Sequence, residues 1–327
     1  MAQTSEASSS SPERGWLAHA GLLLLVMAGC SPQNAVVGGF PSPDASSQDA
    51  SSGTDGRVLG WSTQFVAEEG LWQQTAPLPG ATIGFGAPNA AASDNAVVEL
   101  KLPGLPGAGP DTDSGPGVAT QIATRRFLQF GMFRTRVSFA SCAPTEEVAS
   151  AVFAFFNDGS DANGNGIADN PEIDYQVLCG TPTFIVLTCW TDFEGATATT
   201  PERFIKRSHA VDLSTGDIYD TVSDSDNAFA KTTTVSDLVY PGFPEPGGFY
   251  EVGFDWQPSS VRFFIVNQGR ELTLWTLGDA TLIPQVPLQF MLNLWHPTEH
   301  WIPARSPADY PASDAVLRAD WAEYWLP

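Results

Sequence analysis

Positive charge is what this chain has least of. Its 327 residues carry 15 Lys plus Arg against 37 Asp plus Glu, a formal charge of -22 at pH 7. A surface of that sign repels phosphate backbones, which excludes nucleic acid as an expected partner and leaves neutral polymers and cations. Cysteine is scarce as well, with only Cys30, Cys142, Cys179 and Cys189. They form no CxxC pair and no Cys/His spacing of a metal site. The Gly-rich phosphate loop, the G-x-S-x-G elbow and H-E-x-x-H are all missing, so nucleotide, esterase and zinc-protease chemistry has no residues to stand on. Helical periodicity is lacking too: from Arg57 onward no segment sustains an apolar period of 3.6 over three turns.

Only one long apolar run occurs, Gly21 to Gly29, after Arg14 and before Cys30. Its length suits a signal-peptide core and is too short to cross a bilayer. Met27-Ala28-Gly29-Cys30 resembles the bacterial lipobox, in which the Cys thiol is acylated before cleavage; a plain signal peptide is the alternative. The resemblance implies an exported lipoprotein, anchored to a membrane through Cys30 and facing the periplasm or the cell surface. Loss of residues 1–29 removes Arg14, Glu6 and Glu13, which moves the charge from -22 to -21, so the acidity belongs to the mature chain. Residues 30–56 are rich in Ser, Pro, Asp, Gly and Ala, the composition of a disordered tether. The folded domain is expected over 57–327, where 43% hydrophobic and 11% aromatic content in the whole chain suffices for one large core.

Short runs rich in Val, Phe, Thr and Trp alternate there with Gly/Pro/Asp clusters, the pattern of an all-β two-sheet sandwich. Strands are expected at 96–101, 130–139, 149–156, 172–178, 184–190, 204–212, 248–256, 261–267, 288–294 and 315–325. Gly248 to Asn267 reads as a hairpin turned by Pro258 and two serines. Leu102 to Gly117 reads as a Pro/Gly loop, and Ser214 to Asn227 as an Asp-rich loop at the rim. An odd number of cysteines after Cys30 permits one disulfide and one free thiol; Cys142 with Cys179, at the same end of two strands separated by one other, is the expected pair.

The most informative segment is Glu172-Ile-Asp-Tyr-Gln176. Alternate residues of a strand share a face, so Glu172, Asp174 and Gln176 project together. A retaining glycosidase needs two carboxylates about 5 to 5.5 Å apart, one a nucleophile and one a proton donor. Here the third position holds an amide.

Around this strand stand Phe130-Gly-Met-Phe-Arg134-Thr-Arg136, Ala149 to Phe156, Phe254-Asp-Trp256, Val261-Arg-Phe-Phe264, Leu292-Asn-Leu-Trp295 and Leu317-Arg-Ala-Asp320-Trp321-Ala-Glu-Tyr324. In this order they resemble glycoside hydrolase family 16, the laminarinases, lichenases and related endo-β-glycanases. The resemblance implies a concanavalin-like β-jelly roll whose concave sheet forms an open polysaccharide cleft, with no cofactor required and a monomeric chain. It places Glu172 on the nucleophile and Asp174 on the carboxylate that holds it. The acid/base position falls on Gln176, or on Val177 in the bulged form of the motif, and neither can donate a proton. Three readings follow: a non-catalytic carbohydrate-binding relative, an enzyme that recruits Asp192 or Glu194 instead, or a residual or altered activity.

Asp161-Ala-Asn163-Gly-Asn165-Gly-Ile-Ala-Asp169-Asn-Pro-Glu172 fits the calcium-loop pattern D-x-[DN]-x-[DN]-G-x5-E. Its flanks read as strands where an EF-hand needs helices, and Glu172 would have two incompatible tasks. Asp161, Asn163, Asn165, the Ile167 carbonyl and Asp169 form a candidate structural calcium site, with an Asx-turn loop as the alternative. Sugar faces stack on aromatic rings, which makes Phe155, Trp190, Trp295 and Trp301 the expected binding platforms, against packing in the core. Trp256, Trp321 and Trp325 are expected inside. Arg134 and Arg136 share a strand face, for a cleft carboxylate or for structural ion pairs, and His296 and His300 flank Trp295 and Trp301 as loop residues that meet substrate.

Overall fold

A computed structural model of the chain describes residues 56–76, 78–106, 118–180, 183–226, 228–296 and 309–327. The expected leader at 1–29, Cys30, nearly all of the 30–56 tether, His300, Trp301 and residues 107–117 of the Pro/Gly loop lie outside them. The alternating apolar runs form strands: β1 (Leu59–Thr63), β2 (Trp72–Thr75), β3 (Thr82–Pro88), β4 (Ala96–Leu102), β5 (Val118–Thr124), β6 (Gly131–Ser138), β7 (Ala149–Phe155), β8 (Asp169–Leu178) and β9 (Phe184–Glu194). There follow β10 (Arg203–Asp212), β11 (Asp217–Thr221), β12 (Phe229–Thr234), β13 (Tyr250–Gln257), β14 (Ser260–Asn267), β15 (Arg270–Leu277), β16 (Gln289–Trp295) and β17 (Ala315–Trp325).

These strands make two antiparallel sheets. One has eight strands in the order β15-β14-β13-β6-β17-β4-β3, with β1 on β17, and the other has nine in the order β12-β11-β10-β9-β8-β7-β16-β5-β2. This is the all-β, two-sheet sandwich expected from the alternation and the jelly roll that the resemblance implies. Between the sheets the period of two sends every second side chain inward. Ile173, Tyr175 and Val177 of β8 are at most 1% exposed and share one core with Phe133 of β6, Phe254 of β13 and Phe290 of β16. Phe133 joins the layers, its ring centroid 5.1 Å from Phe290 of the other sheet and 4.9 Å from Tyr324. Burying each such ring is worth about 2–3 kcal/mol. At Gly253 of β13 a Cβ would stand 2.1 Å from the Phe133 carbonyl oxygen, so only glycine lets these two backbones meet.

Cys142 and Cys179 form the disulfide, with Cα atoms 5.8 Å apart. Cys142 lies in the connection from β6 to β7 and Cys179 follows β8, so the bridge ties that connection to the end of β8. Cys189 keeps a free thiol inside the core, where burial raises its pKa.

Several expectations need correction. The Asp-rich rim loop contains a strand, β11, and β12 pairs beside it at the edge of the nine-stranded sheet. β12 escapes notice because nearly all of Phe229–Thr234 is exposed and shows no apolar alternation. Of the two alternatives for Arg134 and Arg136, the structural ion pairs are the ones formed, with Glu251 and Asp320, on the sheet that does not contain β8. Trp256 is in the core as expected, whereas Trp321 and Trp325 are half-buried on the other face of β17 from Ala322 and Tyr324.

Candidate active site

The face of the nine-stranded sheet turned away from the core carries the site. On β8 the inward residues are Ile173, Tyr175 and Val177, so Glu172, Asp174 and Gln176 point outward together. Strand register sets their neighbours. Glu172 stands between Phe155 of β7 and Trp190 of β9, and Trp190 in turn stands opposite Lys206 of β10. One row along, Asp174 lies between Phe153 and Thr188. The next row sets Gln176 between Ala151 and Val186, with Asn293 of β16 beyond Ala151.

Side chains here face outward yet are well covered: Asp174 is 2% exposed, Thr188 5% and Asn293 7%. Their flanking neighbours therefore rise above them, and the rows form a floor. Trp190 donates its indole N–H to Asp174 Oδ2 at 3.1 Å, and the Gln176 amide also donates to Asp174. Asn170 Nδ2 reaches Glu172 Oε2 at 3.3 Å, and its own Oδ1 accepts from Asn157 at 3.0 Å. Lys206 lays its ammonium over the Trp190 ring, 4.1 Å from the centroid.

Burial dominates the electrostatics. It raises the Glu172 pKa well above the usual glutamate range, and the adjoining Asp174 carboxylate adds to the effect; Asn170 and Lys206 pull the other way. Asp174 is raised from 3.8 to about 6, again by burial, against hydrogen bonds from Glu172, Gln176 and Trp190. Two carboxyls that hydrogen-bond to each other cannot both ionise cheaply, so the pair holds one proton and one charge. Such a pair can supply a nucleophile or a proton, depending on its charge state, and the amide beside it can do neither.

The replacement acids are committed elsewhere. Asp192 is 1% exposed and accepts from Asn163 Nδ2 at 2.8 Å and Asn165 Nδ2 at 2.9 Å. Its register partner is Asp169, three residues from Glu172 along β8. Glu194 pairs with Arg203 at the end of β9.

The expected calcium loop closes on itself. Asp161 accepts from the Asn165 and Gly166 backbone N–H groups, Asn165 Oδ1 accepts from Ile167 N at 2.8 Å, and Asp169 accepts from Ala162 N at 2.7 Å and from Asn163. Among the described residues no three His, Cys, Asp or Glu side chains gather to hold a metal ion. Glu172 does not turn toward this loop; its carboxyl meets Asn170 and Asp174.

Of the expected platforms, Phe155 and Trp190 flank Glu172 directly and are half-buried. Trp295 lies on the same sheet face but is 8% exposed, packed with Leu178, Phe184 and Ala210, so it is a wall of the floor. His296 is 2% exposed, bonds the Glu147 carbonyl oxygen at 2.7 Å and packs on Tyr310, which corrects its assignment as a substrate-facing loop residue. Lys206, Asn170 and Asn293 were missed by the sequence reading. Only Asn293 carried a signal, its place between two apolar residues in Leu292-Asn-Leu294, which turns it away from the core.

No family model matches the chain. Among curated proteins, the β-glucanase of Bacillus licheniformis is 32% identical over 59 residues, which cover 18% of this chain and 22% of that protein. The match thus spans about a fifth of the relative's length. Among solved structures, Bacillus licheniformis β-glucanase aligns over 82% of this chain and 98% of its own, with TM-score 0.47 and 15% identity. A β-1,3-1,4-glucanase (lichenase) from a mouse hindgut metagenome covers 81% and 97%, with TM-score 0.45 and 16% identity. A GlcNAcα1-4Gal-releasing endo-β-galactosidase from Clostridium perfringens covers 88% and 66%, with TM-score 0.48 and 11% identity. The chain is a two-sheet β-sandwich that resembles the glucanases of glycoside hydrolase family 16.

Proposed function

We propose that this chain is a family-16-type glycoside hydrolase of a β-linked polysaccharide, with Glu172 as nucleophile, Asp174 as the group that holds and tunes it, and no competent acid at Gln176. The single observation that supports this most is the row of Glu172, Asp174 and Gln176 on one covered, outward face, between the rings of Phe155 and Trp190. In this reading the rings hold the sugar's apolar faces, and Asp174 takes the proton that Glu172 must lose before it attacks the anomeric carbon. The Lys206 charge favours the ionised form of both carboxyls. A second reading, a non-catalytic carbohydrate-binding protein on the same fold, is favoured by the commitment of Asp192 and Glu194 to other partners.

One experiment separates them: release of reducing ends from laminarin, lichenan, agarose and carrageenan by the chain and by its Gln176→Glu variant. Restoring a general acid is worth about 10²- to 10⁴-fold in rate, so a gain of that size supports the first reading. Substrate binding without turnover by either form supports the second.

The remaining parts of the proposal are an exported, monomeric lipoprotein held at the membrane through Cys30, and calcium at the Asp161 to Asp169 loop. Mass analysis of the mature N-terminus tests the anchor, with an unmodified Cys30 against it. Thermal unfolding in calcium and in EDTA tests the ion; coincident curves refute it.

A further inference from the structure

Three acceptors on the outer face of the nine-stranded sheet are left without donors. Gln176 and Asn293 lie in one row with only the Ala151 methyl between them, and Gln176 Oε1 and Asn293 Oδ1 are both covered and unpartnered. Asp174, in the neighbouring row, takes the Trp190 indole on Oδ2 and leaves Oδ1 covered and unpartnered as well. Asn293 is 7% exposed and Asp174 2%, so these oxygens are held out of bulk water. Each such acceptor costs free energy until a donor arrives. Asn170, Trp190 and Lys206, which carry the donors of the site, stand instead on the Glu172 side. The floor is thus polarised along β8, donor-rich beside Glu172 and acceptor-rich beside Gln176.

We infer that the acceptor side receives the free amino group of a β-linked amino sugar, so that the polysaccharide recognised here is a polycation of unacetylated amino-sugar units. The inference rests on the proposed reading of this row as a polysaccharide site and names the sugar it takes. A protonated amine brings three hydrogens and no lone pair, which matches three acceptor oxygens. A hydroxyl brings one hydrogen and two lone pairs, and an acetamide adds a carbonyl oxygen, so either would set acceptor against acceptor. Charge points the same way. The Glu172–Asp174 pair keeps one negative charge beside these acceptors, and the chain's formal charge of -22 draws a polycation from a distance. Lys206, which would repel an ammonium, is held over Trp190 in the Glu172 row, two rows from Gln176.

The test is calorimetric titration of the full chain with β-1,4-linked hexasaccharides of glucosamine, N-acetylglucosamine and glucose. It is run near pH 6 in about 0.5 M NaCl, where screening suppresses general attraction between opposite charges. The glucosamine hexamer should bind about 10- to 100-fold tighter than either neutral hexamer, the range of one or two charge-assisted hydrogen bonds. Asn293→Leu and Gln176→Met keep the net charge and remove one acceptor each, from different strands. Either should cut the preference for the glucosamine hexamer about 10-fold, and thermal unfolding shows which variants are folded, so that one suffices. A preference that survives in a folded variant is general charge attraction and overturns the inference. Equal binding of the three hexamers, or binding of neutral glycans alone, overturns it while the proposed function stands. Calcium binding that is lost in Asn293→Leu would give the acceptors to a metal ion and overturns it too. A chain that binds none of the hexamers, nor laminarin, lichenan, agarose or carrageenan, overturns the proposed function and this inference together.

Discussion

Removing charge from the Glu172–Asp174 pair should stabilise this protein at neutral pH, although both residues sit in the middle of a sheet. Burial raises Asp174 from 3.8 to about 6 and holds Glu172 above the usual glutamate range. In the unfolded chain both ionise at their ordinary values. Between about pH 4 and pH 6 the folded protein therefore holds more protons than the unfolded one, and the free energy of unfolding falls as pH rises through that window. For Asp174, the span from 3.8 to about 6, at about 1.36 kcal/mol per pH unit, amounts to about 3 kcal/mol. Asp217, Asp220 and Asp314 are held below their ordinary values by Lys231, His209 and Lys101, and they tilt the curve the other way near its acid end. The informative quantity is consequently a difference. Urea unfolding of wild type and Asp174→Asn in steps from pH 4 to pH 7 should show wild type losing about 3 kcal/mol relative to the variant. Parallel curves over that range would refute the assignment of a buried, proton-sharing pair.

Other consequences are open to direct measurement. The Cys142–Cys179 bridge closes a sequence separation of 37 residues, so replacing both with Ala should cost about 4 kcal/mol in denaturant unfolding under non-reducing conditions, and a loss below about 1 kcal/mol would contradict it. Asp320 is fully buried and takes bonds from Arg136 and from the Ser93 backbone and hydroxyl. Arg136→Ala strands that charge and should cost about 3 kcal/mol, most of it recovered by adding Asp320→Asn. Gly253→Ala places a methyl 2.1 Å from the Phe133 carbonyl oxygen and 2.9 Å from the Phe264 ring, and should lower stability by about 3 kcal/mol by the same assay.

The fold was legible at most strands that bury one face, although β5 and β15, which turn Ile122 and Leu272, Leu274 and Leu277 inward, were not among the expected strands. The two faces of β8 could be read because Ile173, Tyr175 and Val177 alternate with polar neighbours, although the strand starts at Asp169 and not at the expected 172, and β13 with β14 because apolar runs flank a two-residue turn at Pro258-Ser259. Edge strands were illegible for the opposite reason: β12 buries almost nothing, and β11 hides in an Asp-rich stretch because it needs only Ile218 to reach the core. The site was legible along β8 and not across it. Lys206 comes next to Trp190 only through a register interrupted by a bulge between Ile205 and Lys206, and no local pattern announces such a pairing. Asp192 looked available from sequence because it follows the next strand; its burial against Asn163 and Asn165 depends on how the 157–169 loop folds back.

Because Gln176 points outward, its identity is of little concern to the core beneath it, where Tyr175 and Val177 do the packing. Gln and Glu codons differ at one base. A protein that binds a glycan and one that cuts it can therefore be neighbours in sequence space, joined by a substitution that leaves the packing beneath the sheet unchanged. Selection can cross that step in either direction without rebuilding the sandwich.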